Sequence, residues 1–444
     1  MITELLGGLL QLLTVASLVA AATIFLLGLG KAPAQPGALL QEKPPMDWKK
    51  TLLWAAAMAL GSRLALVLLA YLGLAAANAL GPADVKLQLA GYGFDKLFPP
   101  LESMFSRWDA PHYLDIARYG YTSDQTVNGG EQHWFIVFYP LYPALAALLK
   151  PLFGSEFGAA TVVSWLSLAG AAAVMVRLAA LEGNEEQGRR AVKYLMVFPA
   201  AVFLGAPYTE SLFLLLTALC LWALRRGKWW LAGFMGFFAA LTRNLGLLLV
   251  VPFAVEILDS LGVFQEPRRL ATGRLWLDFL RRGAWVLLIP LGAAIYLLIN
   301  QIAYGDPFAF LQIQANHWGQ KMQAPWLTMK TTWENLVGNG DANLKLYLWG
   351  PQFIGMLAAL AALPLLMRKL RPAWAAYLLV YTIVSLTPAW LLSFNRYMMG
   401  AVPLFLGLAA LTEKRKTADW VVTALFAAMM LFLAAGYLMW RHVV

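Results

Sequence analysis

Long Leu- and Ala-rich stretches, separated by short polar ones, run the length of this 444-residue chain. A bilayer crossing needs about 20 apolar residues. Hydropathy predicts about twelve such spans, near 5–30, 51–80, 157–181, 191–206, 209–225, 229–243, 245–260, 284–303, 347–367, 373–392, 397–411 and 419–440. The first lacks a basic leader and outruns a signal-peptide core of about 7–15 residues, so a membrane helix is expected there. Segment 134–153 is also apolar, but Pro140, Pro143 and Pro151 interrupt it. It is expected to lie along the interface rather than cross. The pattern predicts an all-α, polytopic transmembrane bundle. An additional N-terminal transmembrane helix occupies 1–30. The transmembrane domain proper runs over 51–444, with large loops at 81–156 and 304–346.

Composition agrees with a membrane protein. The chain is 60% hydrophobic and only 13% charged, with a mean hydropathy of +0.63, whereas a soluble domain is nearer about 25% charged. The lone Cys220 excludes an intrachain disulfide. A formal charge of +10 in so apolar a chain points to basic cytoplasmic loops, not to nucleic acid.

Those charges give the orientation. If the loop 31–50 is cytoplasmic and the twelve spans alternate, 22 of the 34 Lys and Arg fall on the inner side. They include Lys31, Lys43, Lys49, Lys50, Arg189, Arg190, Lys193, Arg225, Arg226, Lys228, Arg281, Arg282, Arg368, Arg371, Lys414, Arg415 and Lys416. The outer side holds 11, diluted among about as many acids, and Arg63 falls within a span. The positive-inside rule favours this arrangement. It places every chemically interesting loop on the extracytoplasmic face. ATP and nucleotide sugars are not supplied there, so an activated substrate is expected to arrive attached to lipid.

The densest such loop is RWDAPHYLDIARYGY, Arg107 to Tyr121. It packs two carboxylates, a histidine, two arginines and several aromatics between membrane spans. Ionisable groups near a bilayer are costly and tend to be kept for function. This segment, followed by FYPLYP, resembles the first-loop signature of the PIG-V-type mannosyltransferases. FPAAVFLGAPYTESLFLL and ALRRGKWWLAGFMGFFAALTRNLGLLL resemble that family's central spans. YGDPFAFLQIQ and FNRYMMGAVPLFLGLA resemble its later loop and penultimate helix. The resemblance covers roughly 51–411, which leaves the first span as an addition. It implies a GT-C-like bundle and a glycosyltransferase using a polyprenyl-phosphate sugar, most simply mannose. Eukaryotic relatives act on glycosylphosphatidylinositol precursors. This compact Ala- and Leu-rich chain is expected in a bacterial cell membrane, so the acceptor does not carry over; a glycan, a lipid or a protein is expected. The other expected partners are the donor and membrane lipids.

Transfer from a polyprenyl phosphate needs a base for the acceptor hydroxyl more than help at the leaving group. One carboxylate suffices for an inverting displacement; a retaining route needs a second as nucleophile. Asp109 is the expected base, at the position of the family's acid, and His112 is the second catalytic candidate. Asp109 could equally be the N-cap of a short helix, with Pro111 in its first turn. Arg107, Trp108, Asp115, Arg118 and Tyr121 are candidate sugar or head-group contacts, although Trp and Tyr favour interfaces in any case. Glu210, Arg243, Arg396 and Tyr397 complete the candidate site from other outer turns. Arg396, at the start of a span, is expected to hold the donor phosphate; snorkelling to the interface is the plain alternative. Arg63 is expected to be structural. The four histidines lack metal-binding spacing, and only Asp109, His112 and His133 could meet at an ion. No metal or cofactor is expected. A transporter or flippase for a lipid-linked substrate, and a non-catalytic lipid- or protein-binding subunit, are the competing readings.

Overall fold

The structure, a computed structural model, describes residues 2–29, 47–95, 98–124, 126, 134–182, 184–389 and 391–443. Lys31 and Lys43, counted above on the inner side, lie outside them. Among the described residues there is no strand; Met322 and Pro388 form an isolated antiparallel bridge.

Among the described residues six helices are long and apolar enough to cross a membrane: Thr3–Gly28, Trp48–Leu80, Glu156–Ala180, Gly273–Tyr304, Ala342–Met367 and Lys416–Leu438. In chain order the helices begin with α1 (Ile2–Gly28), α2 (Trp48–Leu80) and the outer-loop helices α3 (Ala83–Gly91), α4 (Leu101–Phe105) and α5 (Ala110–Tyr119). Next come α6 (Leu141–Phe153), α7 (Glu156–Ala180), α8 (Glu185–Met196), α9 (Glu210–Arg225), α10 (Trp229–Ala240) and α11 (Val250–Ser260). The rod Gly273–Tyr304 contains α12 (Gly273–Gly283) and α13 (Leu288–Tyr304). The second outer loop carries α14 (Ala309–His317) and α15 (Pro325–Val337). One turn, α16 (Ala342–Leu344), leads into α17 (Gly350–Met367). The chain ends with α18 (Pro372–Ser385), α19 (Phe394–Met398), α20 (Val402–Thr412) and α21 (Lys416–Leu438).

The bundle is apolar outside as well as inside. Leu12, Leu53, Leu68, Leu72, Leu287, Ile302 and Leu425 stand largely exposed on α1, α2, the Gly273–Tyr304 rod and α21. In water such a surface would drive association; hydrocarbon solvates it. The chain is an integral membrane protein. The first helix is built into the bundle: α1 packs on α15 and α17, and the Ser17 hydroxyl donates to the Leu360 carbonyl at 2.6 Å.

Several predicted spans differ from continuous crossings. Those expected at 191–206, 229–243, 373–392 and 397–411 are short helices broken at Pro199, Thr242, Leu386 and Gly400. Broken helices free backbone carbonyls, which in a membrane need partners from within the protein. Arg63 is one: its guanidinium donates to the carbonyls of Met196, at 3.0 Å, and of Ala201. It is structural, as expected, and its partners are these carbonyls and the Ser62 hydroxyl, at 3.3 Å. Trp165 Nε1 donates to the Gly205 carbonyl at 3.0 Å. The Ser164 hydroxyl reaches the Ala206 carbonyl at 3.1 Å. Segment 134–153 also differs in detail. Pro140 stands at the N-cap of α6, and Pro143 and Pro151 fall in its first and last turns, so the 13-residue helix is uninterrupted. At about 1.5 Å per residue it is too short to cross.

The two ends of the bundle keep their charges apart. Glu182, Arg225, Glu256, Asp259 and Arg371 form one ion-paired group, and Arg190, Lys193 and Asp419 another. The ion pairs of these two groups join positions predicted to lie toward one and the same face. This supports the alternation of spans; which end faces the cytoplasm rests on the distribution of basic residues.

Candidate functional site

The break between α8 and α9 and the one around α19 carry residues that meet the loop of Arg107 to Tyr121, Tyr208 and Arg396 respectively, and the break after α10 carries Arg243. Helix α5 starts at Ala110, with Pro111 in its first turn, and stops at Gly120, whose φ of 72° is unfavourable for any side chain. Asp109 precedes the helix, yet its side chain makes no capping hydrogen bond. Its carboxylate turns instead to Arg396, with Oδ2 at 2.8 Å from Nη1. Arg396 also lies 3.1 Å from Glu210 through Nε. Glu210 meets Arg243 at 2.5 Å, and Arg243 donates to the Thr209 hydroxyl at 3.0 Å. Four residues distant in sequence thus form one chain of charge: Asp109, Arg396, Glu210, Arg243. Glu210 and Arg396 are buried, while the Asp109 side chain keeps 26% of its surface exposed. The network's net charge is zero and its open end is Asp109.

Each member is held by its element. Glu210 opens α9, where an acid suits the helix dipole. Arg243 sits where α10 gives way to a 3-10 turn. Gly246 makes that turn close: a Cβ there would lie 2.4 Å from the Ala239 backbone. Arg396 rides on α19, which is pinned to α17 through its neighbour Asn395. The Asn395 amide donates to the Pro351 carbonyl at 2.8 Å, and its backbone N–H to Gln352 Oε1 at 3.1 Å. Tyr397, a candidate contact, lies with its ring 5.1 Å from the Arg243 guanidinium and 5.9 Å from that of Arg396.

The Arg107–Asp109 turn is locked from below. The buried Tyr208 hydroxyl donates to the Arg107 carbonyl at 2.7 Å and accepts from the Asp109 N–H at 3.2 Å. Trp108 between them has φ 53°, a strained setting for a bulky residue that well-determined sites tend to retain. Its ring meets Trp440 edge-on at 5.7 Å and His442 at 5.2 Å. Arg107 is buried, between the rings of Trp440 at 4.3 Å and Phe94 at 5.0 Å. Burial lowers its pKa to about 10.

The other candidates separate. The His112 ring stacks on Phe138 at 4.9 Å, beside Trp134 at 5.9 Å. Trp134 in turn meets His317 at 3.9 Å, from the second outer loop. His112 therefore belongs to an aromatic wall one helical turn from Asp109. Asp115 is half-buried farther along α5. Arg118 points elsewhere and forms a two-pronged pair with Glu156, at 3.0 and 3.2 Å. The Tyr121 hydroxyl is spent on the Phe138 carbonyl at 2.5 Å. Among the described residues no three His, Cys, Asp or Glu side chains are placed to hold a metal ion. His133, named above with Asp109 and His112, lies outside those residues.

Sequence reasoning missed Tyr208, Gln352, Asn395, Trp440 and His442. Tyr208 and Asn395 lie in outer turns from which only Glu210, Arg396 and Tyr397 were nominated, and Trp440 and His442 stand at the outer end of the last predicted span and just beyond it.

Residues 93–279 match the family model described as mannosyltransferase (PIG-V). The stretch contains Arg107 to Tyr121, Glu210 and Arg243, and ends before Arg396. GPI alpha-1,6-mannosyltransferase 2 of Rattus norvegicus is 32% identical over 167 residues, covering 35% of this chain and 32% of that protein. The Homo sapiens protein of the same name is 31% identical over 177 residues, covering 37% and 34%. The matches thus span about a third of the length of these curated relatives. No solved structure matches the chain.

Proposed function

We propose that this chain, whose residues 93–279 match the family model described as mannosyltransferase (PIG-V), is an integral membrane glycosyltransferase. It moves a mannosyl group from a polyprenyl-phosphate donor to a hydroxyl of a glycan, lipid or protein acceptor, at the extracytoplasmic face of a bacterial cell membrane. The observation that carries this reading is the Asp109 carboxylate. It stands at the head of α5 without capping it, partly open, and bound on one oxygen to Arg396 at 2.8 Å.

The chemistry follows from that placement. The acceptor hydroxyl gives its proton to Asp109 as its oxygen bonds to the anomeric carbon. The bond from that carbon to the phosphate oxygen breaks, and the electron pair leaves on the polyprenyl phosphate. Attack and departure are on opposite sides, so the centre inverts. Arg396 holds Oδ2 and fixes the carboxylate plane, which leaves Oδ1 for the proton. Glu210 and Arg243 keep Arg396 in place, so these three act as positioning residues. The aromatic wall of His112, Trp134 and His317 suits a sugar ring, whose C–H faces stack on aromatic rings.

The test is transfer by the purified full chain in detergent, with an acceptor chosen by comparing membrane glycans of cells with and without the gene. Polyprenyl-phosphate mannose should be used, and GDP-mannose should not. Turnover with the soluble nucleotide sugar alone would overturn the reading.

A further inference from the structure

Arg107 differs from the other arginines at the site. Arg243 and Arg396 are both neutralised by carboxylates. Arg107 is as deeply buried, with 5% of its surface exposed. Its Nε and Nη2 have no hydrogen-bond partner, and among the described residues no carboxylate pairs with it. The rings of Trp440 and Phe94 lie 4.3 and 5.0 Å from its guanidinium carbon. Ring faces favour a cation but accept no strong hydrogen bond. The pKa of about 10 leaves the group charged at neutral pH. A buried cation with unspent donors is unfavourable unless an anion completes it. Since the Asp109–Arg396–Glu210–Arg243 network is neutral, Arg107 adds one positive charge to it among the described residues. A phosphodiester carries one negative charge.

An apolar crevice begins at the same place. Leu66 and Ala70 of α2, Phe105, Val202, and Ala434 and Leu438 of α21 line it. A second cavity shares Leu66, Phe105 and Val202 and continues toward Trp165. The crevice and the Arg107 cage share two segments. Phe105 lines the crevice two residues before Arg107, and the Tyr437 hydroxyl donates to the Phe105 carbonyl at 2.8 Å. Leu438 lines the crevice two residues before Trp440.

We propose that Arg107, covered by Trp440 and Phe94, anchors the donor's phosphodiester, and that the isoprenoid tail lies in the apolar crevice between α2 and α21. This rests on the transferase reading and names the donor subsite within it. Arg396 then holds the base and leaves the phosphate to Arg107. The guanidinium offers its unspent N–H groups to phosphate oxygens in a fork that lysine cannot copy. Trp440 closes the cage from the end of α21.

The experiment reads binding separately from turnover. The purified full chain is titrated with undecaprenyl phosphate, and with inorganic phosphate, undecaprenol and phosphatidylglycerol as comparisons. Undecaprenyl phosphate should bind at least tenfold more tightly than each comparison. Arg107→Ala should weaken it tenfold or more, and Arg107→Lys by less. Ala434→Trp, which fills the crevice, should weaken undecaprenyl phosphate while leaving the melting temperature within a few degrees. A purely structural Arg107 predicts a large drop in melting temperature for Arg107→Ala. The unpaired anchor predicts an unchanged or higher one, because an uncompensated buried charge has been removed. In transfer assays Arg107→Lys should raise donor KM and leave acceptor KM alone. Unchanged undecaprenyl phosphate binding in Arg107→Ala, or equal binding of phosphatidylglycerol, would overturn the proposal. Binding lost as expected in a chain that transfers from no polyprenyl-phosphate sugar would instead count against the transferase reading alone.

Discussion

Asp109 is the residue on which most of the chemistry turns. A capping aspartate and a catalytic one look alike in sequence. The difference is where the carboxylate points, and it points at Arg396. Asp109→Asn keeps the size of the side chain but accepts a proton poorly, so transfer should fall by about 10²–10⁴-fold, with a smaller loss of thermal stability than Arg396→Ala because the Asp109 side chain is 26% exposed and Arg396 keeps Glu210. Initial rates of the purified variant check this, and near-normal rates would remove Asp109 as the base. Arg396 behaves differently because it is buried between two acids. Truncating one partner of a buried network leaves uncompensated charge and costs about 3–5 kcal/mol. Arg396→Ala should therefore lower the melting temperature markedly as well as the rate. Arg396→Lys should retain more stability than rate, since an ammonium cannot serve both carboxylates in the same plane. A melting temperature unchanged in Arg396→Ala would contradict the network as drawn.

The outer helices are organised by polar ties between elements. Helix α5 is tied to the start of α7 by Arg118 on Glu156, and Lys150 at the end of α6 reaches the same carboxylate at 2.8 Å. The hydrogen bonds from Arg118 and then Lys150 hold the Glu156 carboxyl down at about 2, from an ordinary 4.5. A carboxyl depressed in the folded state stabilises it above its unfolded pKa. That contribution fades as the pH falls from about 4.5 toward about 2. Both cations are half-exposed, so solvent screening keeps it within roughly 1 kcal/mol. The native protein should melt slightly above Glu156→Gln at pH 6, and the gap should close as the pH approaches 2. Melting curves of the two proteins across that range decide it; a gap that widened in acid would refute the assignment. A comparable tie, Asn395 on Pro351 and Gln352, sets the position of α19 and hence of Arg396.

For the molecule as a whole, the alternation of spans sends the site to one face. Cysteine labelling in intact cells tests that directly, because Cys220 is buried and should contribute little background. Asp124→Cys and Lys330→Cys should react with an impermeant thiol reagent added outside. Lys228→Cys and Arg415→Cys should react only after permeabilisation. The reverse pattern would move the site to the cytoplasmic face and, with it, the argument for a lipid-borne donor.

Much of this was legible in the chain. Hydropathy alone requires a helical membrane protein, because only long apolar helices satisfy their own backbone in hydrocarbon. Loop charges alone propose which turns share a face, and Asp109, Glu210, Arg243 and Arg396 could be nominated from outer turns that are far apart in sequence. What tertiary structure decided was pairing and direction. Whether Asp109 caps α5 or meets Arg396 depends on side-chain orientation, which no spacing encodes. That Arg118 and Tyr121 turn away while Arg107 remains buried without an acid depends on contacts among α5, α7 and α21. The last of these lies more than 300 residues downstream. The periodicity of a single helix records which face is apolar. It does not record which distant segment will cover that face, so Trp440 over Arg107 became visible only once the chain was folded.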